Sequence, residues 1–361
     1  MPNSKASQEE IDRRYMQRCL ELAAQARGKT SPNPMVGAVI VCDDRIIGEG
    51  YHQRAGMPHA EIEALASVTP SDKKHLARST MYVNLEPCAH YGRTPPCADA
   101  IIQSGIRRVV IATPDPNPKV SGAGIQKLQR AGIEVVSGVL QKEAEALNAP
   151  FLTYHTRKRP HIILKWAETA DFFMGRPDER IAISGPKALT VVHQWRSEVD
   201  AILVGTQTAV VDNPRLTVRH VEGAHPLRLV LDQSMRIPRT HHLWIDEHPT
   251  VFFVDQHKVR KSPQAHKIVV PIDFSDDVLA QVLQWLYHHQ KLSLLVEGGR
   301  KLLQSFVDAG LWDEARVIHN HQLRLRRGIR VPLLRGKKLR VEHLGSDTIY
   351  YVQPLASATQ C

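Results

Sequence analysis

The sequence predicts two α/β domains, and three of its features lead to this prediction. First, 361 residues are more than one domain usually needs, because domains cluster near ~100–150 residues. Second, segments typical of strands and of helices alternate in both halves, which indicates layered sheets with partly parallel strands. Third, the alternation breaks at FLTYHTRKRPH (151–161), whose basic residues and proline suggest a linker. We therefore place one domain at 1–150 and the other at 151–361.

The first half begins with a helix. Ser7 and Glu10 are spaced as in a capping box, and apolar residues then recur at helical spacing until Gly28. Turn residues Asp43 and Asp44 predict a link between two strands. The predicted elements after the first helix are strands at 36–41 and 45–51, a helix at 59–67, a strand at 81–85, a helix at 97–105, a strand at 108–112, a helix ending at 131 and a strand at 133–136.

The second half repeats the alternation from residue 162 onward. LLVEGGRKLLQSFVDAG (294–310) has the pattern of a strand, two glycines and a helix. Backbone N–H groups at such a helix start can bind a phosphate, although an ordinary strand-to-helix turn is the preferred explanation of this motif taken alone. The glycines of SGAG (121–124) do not form a dinucleotide fingerprint, because Lys127 occupies the place of the third glycine.

Composition narrows the class of protein. Hydrophobic residues make up 42% and charged residues 23% of the chain, as in ordinary globular proteins. No apolar run approaches the ~18 residues of a membrane span, and the polar start MPNSKASQEE lacks the core of a signal peptide. We therefore expect a cytoplasmic protein without a membrane partner. Five cysteines are too few for a disulfide framework, so metal binding or catalysis are the roles to consider.

The formal net charge of +10 is unevenly distributed. Residues 1–150 have a net charge of +2 and residues 151–361 one of +8. The tract RLRRGIRVPLLRGKKLR (324–340) contains eight basic residues and no acidic one. A solvated basic hairpin or loop explains this tract, and contact with a phosphate or with RNA is the alternative.

A candidate metal site stands out in the first half. His59 opens the predicted helix that contains Glu61, and Cys88 and Cys97 follow about thirty residues later. One imidazole and two thiolates are three ligands of a tetrahedral Zn²⁺ ion, which leaves a fourth position for water. Zinc lowers the pKa of bound water towards ~7, and Glu61 could transfer protons without being a ligand. This combination is typical of zinc deaminases, although eight residues separate the two cysteines here instead of two.

Two other interpretations of these cysteines stay open. Cysteines of cytosolic α/β domains are commonly buried core thiols. A structural zinc would need a fourth protein ligand, for which His90 is available. The combined pattern favours catalysis, and we expect Cys19, Cys42 and Cys361 to be core or terminal residues.

The first half also resembles a known family. Five motifs are similar to the deaminase half of the bifunctional riboflavin-biosynthesis deaminase/reductases. They are SPNPMVGAVIV, GEGYH, HAEIEAL, NLEPCAHYGRTPPC and DPNPKVSGAGIQKLQRAGIEV. The resemblance implies a cytidine-deaminase-like three-layer α/β/α domain that removes an amino group from a diaminopyrimidinone ribosylamine phosphate. It also implies that His59, Cys88 and Cys97 bind Zn²⁺ and that Glu61 transfers protons. The substrate-binding residues it implies are Asn33, His52, His90 and Arg93.

These residue types suit their implied roles. Asn33 offers both a donor and an acceptor to a pyrimidine edge, and His90 with Arg93 could bind a phosphate. Ordinary turn chemistry explains Asn33 in SPNP, and a polar strand end explains His52, equally well.

The second half resembles the reductase half of the same family. The similarity lies in five segments, which are LKWAETAD, ISGPKA, RSEVDAILVGTQTAVVDNPRLTVR, RLVLD and VEGG. It implies a dihydrofolate-reductase-like α/β domain that uses NADPH to reduce the ribosyl group to ribityl. The implied substrate-binding residues are Lys165, Arg196, Asp212, Leu216, Arg219 and Glu297. The implied cofactor-binding residues are Ala167, Thr208, Asp212, Gly298, Gly299 and Arg300.

Several residues depart from the family pattern in this half. Phe172 follows Asp171 where the family has a glycine, and Arg180 and Ala182 stand where it has a small polar residue and a tryptophan. The basic tract replaces a loop that is usually rich in glycine. One alternative is thus a deaminase whose reductase-like domain is altered to bind RNA or another phosphate. A nucleic-acid deaminase is a further alternative, but it would need a basic face beside the zinc, and the first half is nearly neutral.

The preferred interpretation is an enzyme with a small-molecule pyrimidine ribosylamine phosphate substrate. It includes Zn²⁺ and NADPH as cofactors and a homo-oligomeric state, dimer or tetramer, and it does not include a nucleic-acid partner.

Overall fold

A computed structural model describes residues 7–91, 95–117, 121–259 and 266–355. The chain divides into two compact units, Met1–Lys158 and Arg159–Cys361. The division falls inside the segment 151–161 that we expected to be a linker. The segment is helical as far as Arg157 and buries Phe151. No helix among the described residues is long and apolar enough to span a bilayer.

The described residues of the first unit form six α-helices, one 3₁₀ helix and five strands. They are α1 (Gln8–Ala24), β1 (Gly37–Cys42), β2 (Arg45–Tyr51), α2 (Ala60–Ala66), the 3₁₀ helix (Lys73–Arg78), β3 (Thr80–Val83), α3 (Cys97–Ser104), β4 (Arg108–Ile111), α4 (Ala123–Arg130), β5 (Glu134–Ser137), α5 (Gln141–Leu147) and α6 (Ala149–Arg157). The predicted capping box is present, because Ser7 Oγ accepts from the Glu10 backbone and the Ser7 backbone donates to the Glu10 carboxylate. Gly105 ends α3 in the left-handed conformation.

The sheet of the first unit has the order β2-β1-β3-β4-β5. β1 is antiparallel to β2 and β3, whereas β3, β4 and β5 are parallel. Val39 and Val41 of β1 pack with α1 and α5 in one buried cluster. α2 packs on the sheet through β1 and β2. The arrangement is the predicted three-layer α/β/α sandwich.

Two glycines of β2 bring α2 close to the sheet. A Cβ atom added at Gly48 would lie 2.5 Å from the carbonyl oxygen of Ala64, and one at Gly50 would lie 2.5 Å from the Cβ of Glu63. Only glycine leaves room for such an approach. These glycines therefore set the position of α2, whose N-cap and first turn provide two of the predicted site residues.

The described residues of the second unit form five α-helices and nine strands. They are β6 (His161–Glu168), α7 (Pro186–Glu198), β7 (Ala201–Gly205), α8 (Thr206–Asp212), β8 (Leu227–Leu231), α9 (His242–Ile245), β9 (Thr250–Asp255), β10 (Lys267–Ile272), α10 (Val278–His288), β11 (Ser293–Val296), α11 (Arg300–Asp308), β12 (Glu314–Asn320), β13 (Gly336–Leu344) and β14 (Asp347–Pro354).

Its sheet has the order β10-β9-β8-β7-β11-β6-β12-β14-β13. The seven strands from β10 to β12 are parallel, and β14 and β13 are added antiparallel. β11 lies between β7 and β6, although it comes last of the three in the chain. The carboxyl ends of these three strands therefore meet at one edge, which is where open α/β sheets bind ligands.

The basic tract 324–340 consists of a loop and the first half of β13. Several of its cations stack on aromatic rings of this unit. Arg330 lies 4.3 Å from the ring centre of Phe173, Arg340 4.0 Å from that of Tyr351, and Lys338 Nζ 4.4 Å from that of Tyr350. Three of the eight basic residues thus lie over the unit's own aromatic rings, and all eight are exposed.

Candidate active sites

Three elements of the first unit bring the predicted metal ligands together. His59 is the N-cap of α2, Cys88 follows β3, and Cys97 is the first residue of α3, as the sequence predicts. His59 Nδ1 lies 3.2 Å from Cys97 Sγ and 3.8 Å from Cys88 Sγ. All three ligand atoms lie within 4.8 Å of one another.

The donor atoms fit a tetrahedral zinc ion. Zinc bonds of ~2.3 Å to sulfur and ~2.0–2.1 Å to nitrogen, at the tetrahedral angle, place sulfur and nitrogen about 3.6 Å apart. The two observed separations, 3.2 and 3.8 Å, lie on either side of this value. In the described part of the chain this is the one group of histidine, cysteine and acidic residues with such spacing.

The two thiols differ in their readiness to ionise. A hydrogen bond with Cys97, followed by one with His59, lowers the pKa of Cys88. The backbone N–H of Cys97, at the start of α3, also donates to Cys88 Sγ over 3.3 Å. The pKa of Cys97 is raised, first by its hydrogen bond with Cys88 and then by burial. A divalent cation supplies the positive charge that would allow both sulfurs to ionise.

Glu61 is the acidic group of this site. It belongs to the first turn of α2 and is only 3% exposed. Burial raises the pKa of Glu61 to about 6. A carboxyl group with this pKa can gain and release a proton near neutral pH.

A chain of hydrogen bonds orients Asn33. The carbonyl oxygen of Pro58 can only accept, so its 3.0 Å contact means that His52 Nδ1 carries the proton. His52 Nε2 then accepts from Asn33 Nδ2, also over 3.0 Å. Burial lowers the pKa of His52, which favours this neutral form. The amide oxygen of Asn33 keeps its hydrogen-bonding capacity for a ligand.

The loop that contains Asn33 is itself fixed from two sides. The side chain of Asn148 accepts from the backbone N–H of Met35 over 2.8 Å and donates to its carbonyl over 2.9 Å. Asn84, which follows β3, donates to the same carbonyl over 3.0 Å. These bonds hold the loop next to the metal ligands, and the periodicity of the sequence could not predict them.

Sequence reasoning missed Glu86. Its carboxylate is 3% exposed and accepts four backbone N–H bonds, from Asp115, Gly122, Gly124 and Ile125, at 2.9–3.2 Å. Two of these N–H groups belong to the first turn of α4, whose N-cap is a glycine without a side chain. Glu86 therefore caps α4 from the end of β3, two residues before Cys88. The glycines of SGAG bind a carboxylate of their own chain.

Asp115 was also missed. It lies on the loop that Glu86 holds, is 8% exposed, and accepts from the Asn117 backbone over 2.8 Å. Burial, followed by the charge of Glu86, raises the pKa of Asp115 to about 6. The motif DPNP was the available signal, but neither its residue types nor their spacing indicated a function.

His90, a predicted substrate residue, is exposed at this site, and Arg93 lies outside the described residues.

In the second unit, a buried carboxylate gathers two predicted cations. Glu297 follows β11 and accepts from Arg196 of α7 over 2.7 and 2.8 Å. Lys165 of β6 lies 3.6 Å from the same carboxylate. Burial opposes ionisation of Glu297, but the charges of Arg196 and Lys165 outweigh it and lower the pKa to about 2. The three residues form one ionised cluster at the carboxyl edge of the sheet.

The last residue of α8 and the segment that follows it include the other predicted substrate residues. Burial raises the pKa of Asp212, the last residue of α8. Leu216 is buried and has a φ of +55°, a conformation that costs a non-glycine residue energy and that clusters at functional sites. Arg219 is exposed, and its guanidinium donates to the carbonyl and the hydroxyl of Thr217.

The predicted cofactor residues lie at the ends of three neighbouring strands. Ala167 is near the end of β6, Thr208 belongs to α8 directly after β7, and Gly298 and Gly299 connect β11 to α11. Gly298 has a φ of +123°, and the Gly299 N–H donates to Thr208 Oγ1 over 2.8 Å. Nε of Arg300 is buried without a hydrogen-bond partner among the described residues. A helix start with this unpaired cationic donor fits a phosphate of a dinucleotide.

The turn after β6 has Phe172 in the left-handed conformation. Phe172 adopts a φ of +62°, which a glycine would accept without cost, and its side chain is 52% exposed. Arg180 and Ala182 are also exposed.

Comparisons with known proteins match both units. A family model described as the cytidine and deoxycytidylate deaminase zinc-binding region matches residues 9–113. The RibD C-terminal domain model matches residues 160–321. The chain is 40% identical over 354 residues to riboflavin biosynthesis protein RibD of Aquifex aeolicus. This match covers 95% of this chain and 98% of the relative. It is 39% identical over 321 residues to RibD of Escherichia coli K12, and this match covers 84% of this chain and 86% of the relative.

Solved structures show the same relationship. One is a diaminohydroxyphosphoribosylaminopyrimidine deaminase/5-amino-6-(5-phosphoribosylamino)uracil reductase from Thermotoga maritima, with a TM-score of 0.88, 35% identity, and 97% of this chain and 100% of that chain covered. Another is Acinetobacter baumannii RibD, with a TM-score of 0.87 and 35% identity. The match covers 96% of this chain and 100% of that chain. The predicted fold class, a cytidine-deaminase-like domain followed by a reductase-like α/β domain, is confirmed.

Proposed function

The chain belongs to the RibD family of riboflavin-biosynthesis proteins, and we propose that its two units deaminate and then reduce one pyrimidine ribosylamine phosphate. The enzyme is bifunctional, with a deaminase and a reductase domain. The proposal assigns to it the substrates that appear in the name of its Thermotoga maritima relative. It includes zinc in the first unit, NADPH in the second and a homo-oligomeric state. One observation carries the first activity: His59, Cys88 and Cys97 converge beside a buried Glu61.

In the first unit, the chain's own residues bind the substrate and transfer protons. When bound to His59, Cys88 and Cys97, zinc supplies a Lewis acid that makes water a nucleophile at neutral pH. Glu61 takes a proton from the water and returns one to the departing amine, so that oxygen replaces nitrogen and ammonia leaves. Asn33, oriented by His52, hydrogen-bonds the edge of the pyrimidine ring.

In the second unit, charged residues hold the sugar phosphate. NADPH, when bound along Ala167, Thr208 and the start of α11, supplies the hydride. Lys165, Arg196 and Glu297 form the ionised floor against which the sugar lies, and Arg219 binds the phosphate. Asp212, whose pKa burial raises, holds the proton that the sugar oxygen receives when its ring opens. The alternatives, RNA binding and nucleic-acid deamination, are not favoured, because RibD relatives match both units.

Substitution of Glu61 tests the first activity. Glu61→Gln keeps the size of the side chain but cannot take up a proton, so we expect deamination to fall by ~10²–10⁴-fold. The zinc content, measured by plasma mass spectrometry, and the reductase activity should stay at the wild-type level. Cys88→Ser should lose both zinc and deamination.

The matched control is Glu63→Gln, on the same helix, which should keep deamination. Substantial deamination by the Glu61→Gln protein, or loss of its zinc, would contradict the assignment of Glu61.

A further inference from the structure

Two histidines anchor the segment that leads to Arg219. The backbone N–H of Val218 donates to His225 Nδ1 over 3.1 Å, and the backbone N–H of Arg219 donates to His193 Nδ1 over 3.0 Å. His225 is exposed, whereas His193, on α7, is fully buried. The two bonds are chemically alike and adjacent in the chain, but only one of them holds a charged residue.

The hydrogen bond from the Arg219 backbone determines which ring nitrogen of His193 carries the proton. A backbone N–H can only donate, so Nδ1 must be unprotonated, and in the neutral ring the proton is on Nε2. Nε2 is buried and has no hydrogen-bond partner in the described part of the chain. His193 therefore makes a single directed hydrogen bond, and that bond ends at Arg219.

The guanidinium of Arg219 differs from those of its buried neighbours. Arg196 is paired with Glu297 and Arg228 with Asp246. Within the described residues, Arg219 has no carboxylate at ion-pair distance and donates only to the neutral oxygens of Thr217. An exposed guanidinium without a counter-charge is suited to an anionic ligand.

His193 and Arg196 come from successive turns of α7. Arg196 projects its own guanidinium into the ionised cluster with Glu297. His193 reaches the backbone of Arg219, 26 residues further along the chain. One helix thus supplies Arg196 to the ionised cluster and anchors the backbone of Arg219.

We propose that His193 is a positioning residue of the reductase, which fixes the backbone of Arg219 so that its guanidinium meets the phosphate of the substrate. The inference rests on the proposed function of the second unit. His193 does not touch the substrate; it acts through Arg219.

Two amide substitutions at position 193 give the sharpest test. His193→Asn keeps an acceptor close to the place of Nδ1, whereas His193→Gln places its amide where Nε2 was. We expect His193→Gln to raise the KM for the phosphorylated substrate, and the inhibition constant of inorganic phosphate, by about tenfold, the effect of losing one directed contact. His193→Asn should stay within about threefold of wild type for both. In both variants, kcat and the NADPH dissociation constant from fluorescence titration should be unchanged.

A double-mutant cycle separates positioning from a general structural role. In an Arg219→Ala background, His193→Gln should have no further effect on either constant, because the guanidinium it positions is gone. His225→Leu removes the neighbouring acceptor as a control and should leave the phosphate inhibition constant near the wild-type value.

Three results would overturn the proposal. They are unchanged constants for His193→Gln, an equal effect of His193→Gln in the Arg219→Ala background, and an equal effect of His225→Leu. Failure of the proposed function is a different result, because the wild-type protein itself would then neither bind NADPH nor reduce the substrate.

Discussion

Asp12 of α1 is a buried carboxylate whose partners come from two strands. It is 4% exposed and accepts from both Nη atoms of Arg108, on β4, over 2.7 and 2.9 Å. Tyr82 of β3 donates to it over 2.9 Å. Burial opposes ionisation of Asp12, but the hydrogen bonds from Arg108, Gln8 and Tyr82 lower its pKa overall. One charged residue thus ties α1 to the parallel part of the sheet.

Asp12→Asn should destabilise the first unit by about 3 kcal/mol at neutral pH, because Arg108 loses its buried partner. Asp12 has a lowered pKa in the folded state, so its contribution is present above its unfolded pKa of about 3.9 and disappears as the pH falls through the folded pKa. The difference between wild type and variant should therefore shrink below about pH 4. Hydrogen exchange in urea, on peptides covering β3 and β4, measures this unit alone. Glu134→Gln, which removes an exposed partner of Arg108, is the control; an equal difference at pH 7 and pH 3 would contradict this account.

At the residue scale, local motifs predicted the residues of the candidate metal site, and tertiary contacts determined the rest. His59, Glu61, Cys88 and Cys97 could be found because a helix start and a strand end each have a signature in the sequence. Glu86 and His193 could not be found, because their partners lie 29–39 and 26 residues away and are backbone N–H groups. Every residue except proline has a backbone N–H, so no pattern of side chains marks such partners.

At the scale of elements, the turn after β6 shows how surrounding contacts override a residue's own preference. Phe172 is held at a φ of +62° by the bonds around it. The Asp171 carboxylate accepts from Thr169 Oγ1 over 2.6 Å and from the backbone of Leu325 and Arg326 over 3.2 and 2.7 Å. The sequence showed that Phe172 is not a permissive residue, but it could not show that these bonds keep the turn in its left-handed form.

Phe172→Gly should stabilise the second unit by up to about 1.6 kcal/mol. Relief of the left-handed strain gains roughly 1–2 kcal/mol, and the greater freedom of glycine in the unfolded chain offsets about 0.4–1 kcal/mol of it. Urea unfolding followed by tryptophan fluorescence measures this unit, because all five tryptophans lie between residues 166 and 312. Phe172→Ala keeps the Cβ atom and the strain, so it should not stabilise. Equal stabilisation by both variants would show that the conformation of residue 172 is not the cause.

At the scale of the whole molecule, strand order and charge were the features that the sequence left open. Alternating elements predicted two α/β units, but not that β11 would lie between β7 and β6, since strand order depends on contacts between distant segments. The positive charge of the second half suggested RNA as an alternative partner. Three cations of the basic tract stack on aromatic rings of the unit itself, and RibD relatives match nearly the whole chain.

The central claim is that one chain deaminates and then reduces the same pyrimidine. Mass spectrometry of the diaminopyrimidine ribosylamine phosphate, incubated with the zinc-loaded protein with and without NADPH, tests it most directly. We expect replacement of an amino group by oxygen in both samples, and the addition of two hydrogens only in the sample with NADPH. Deamination alone would contradict the assignment of the second unit, and no reaction in either sample would contradict the substrate itself.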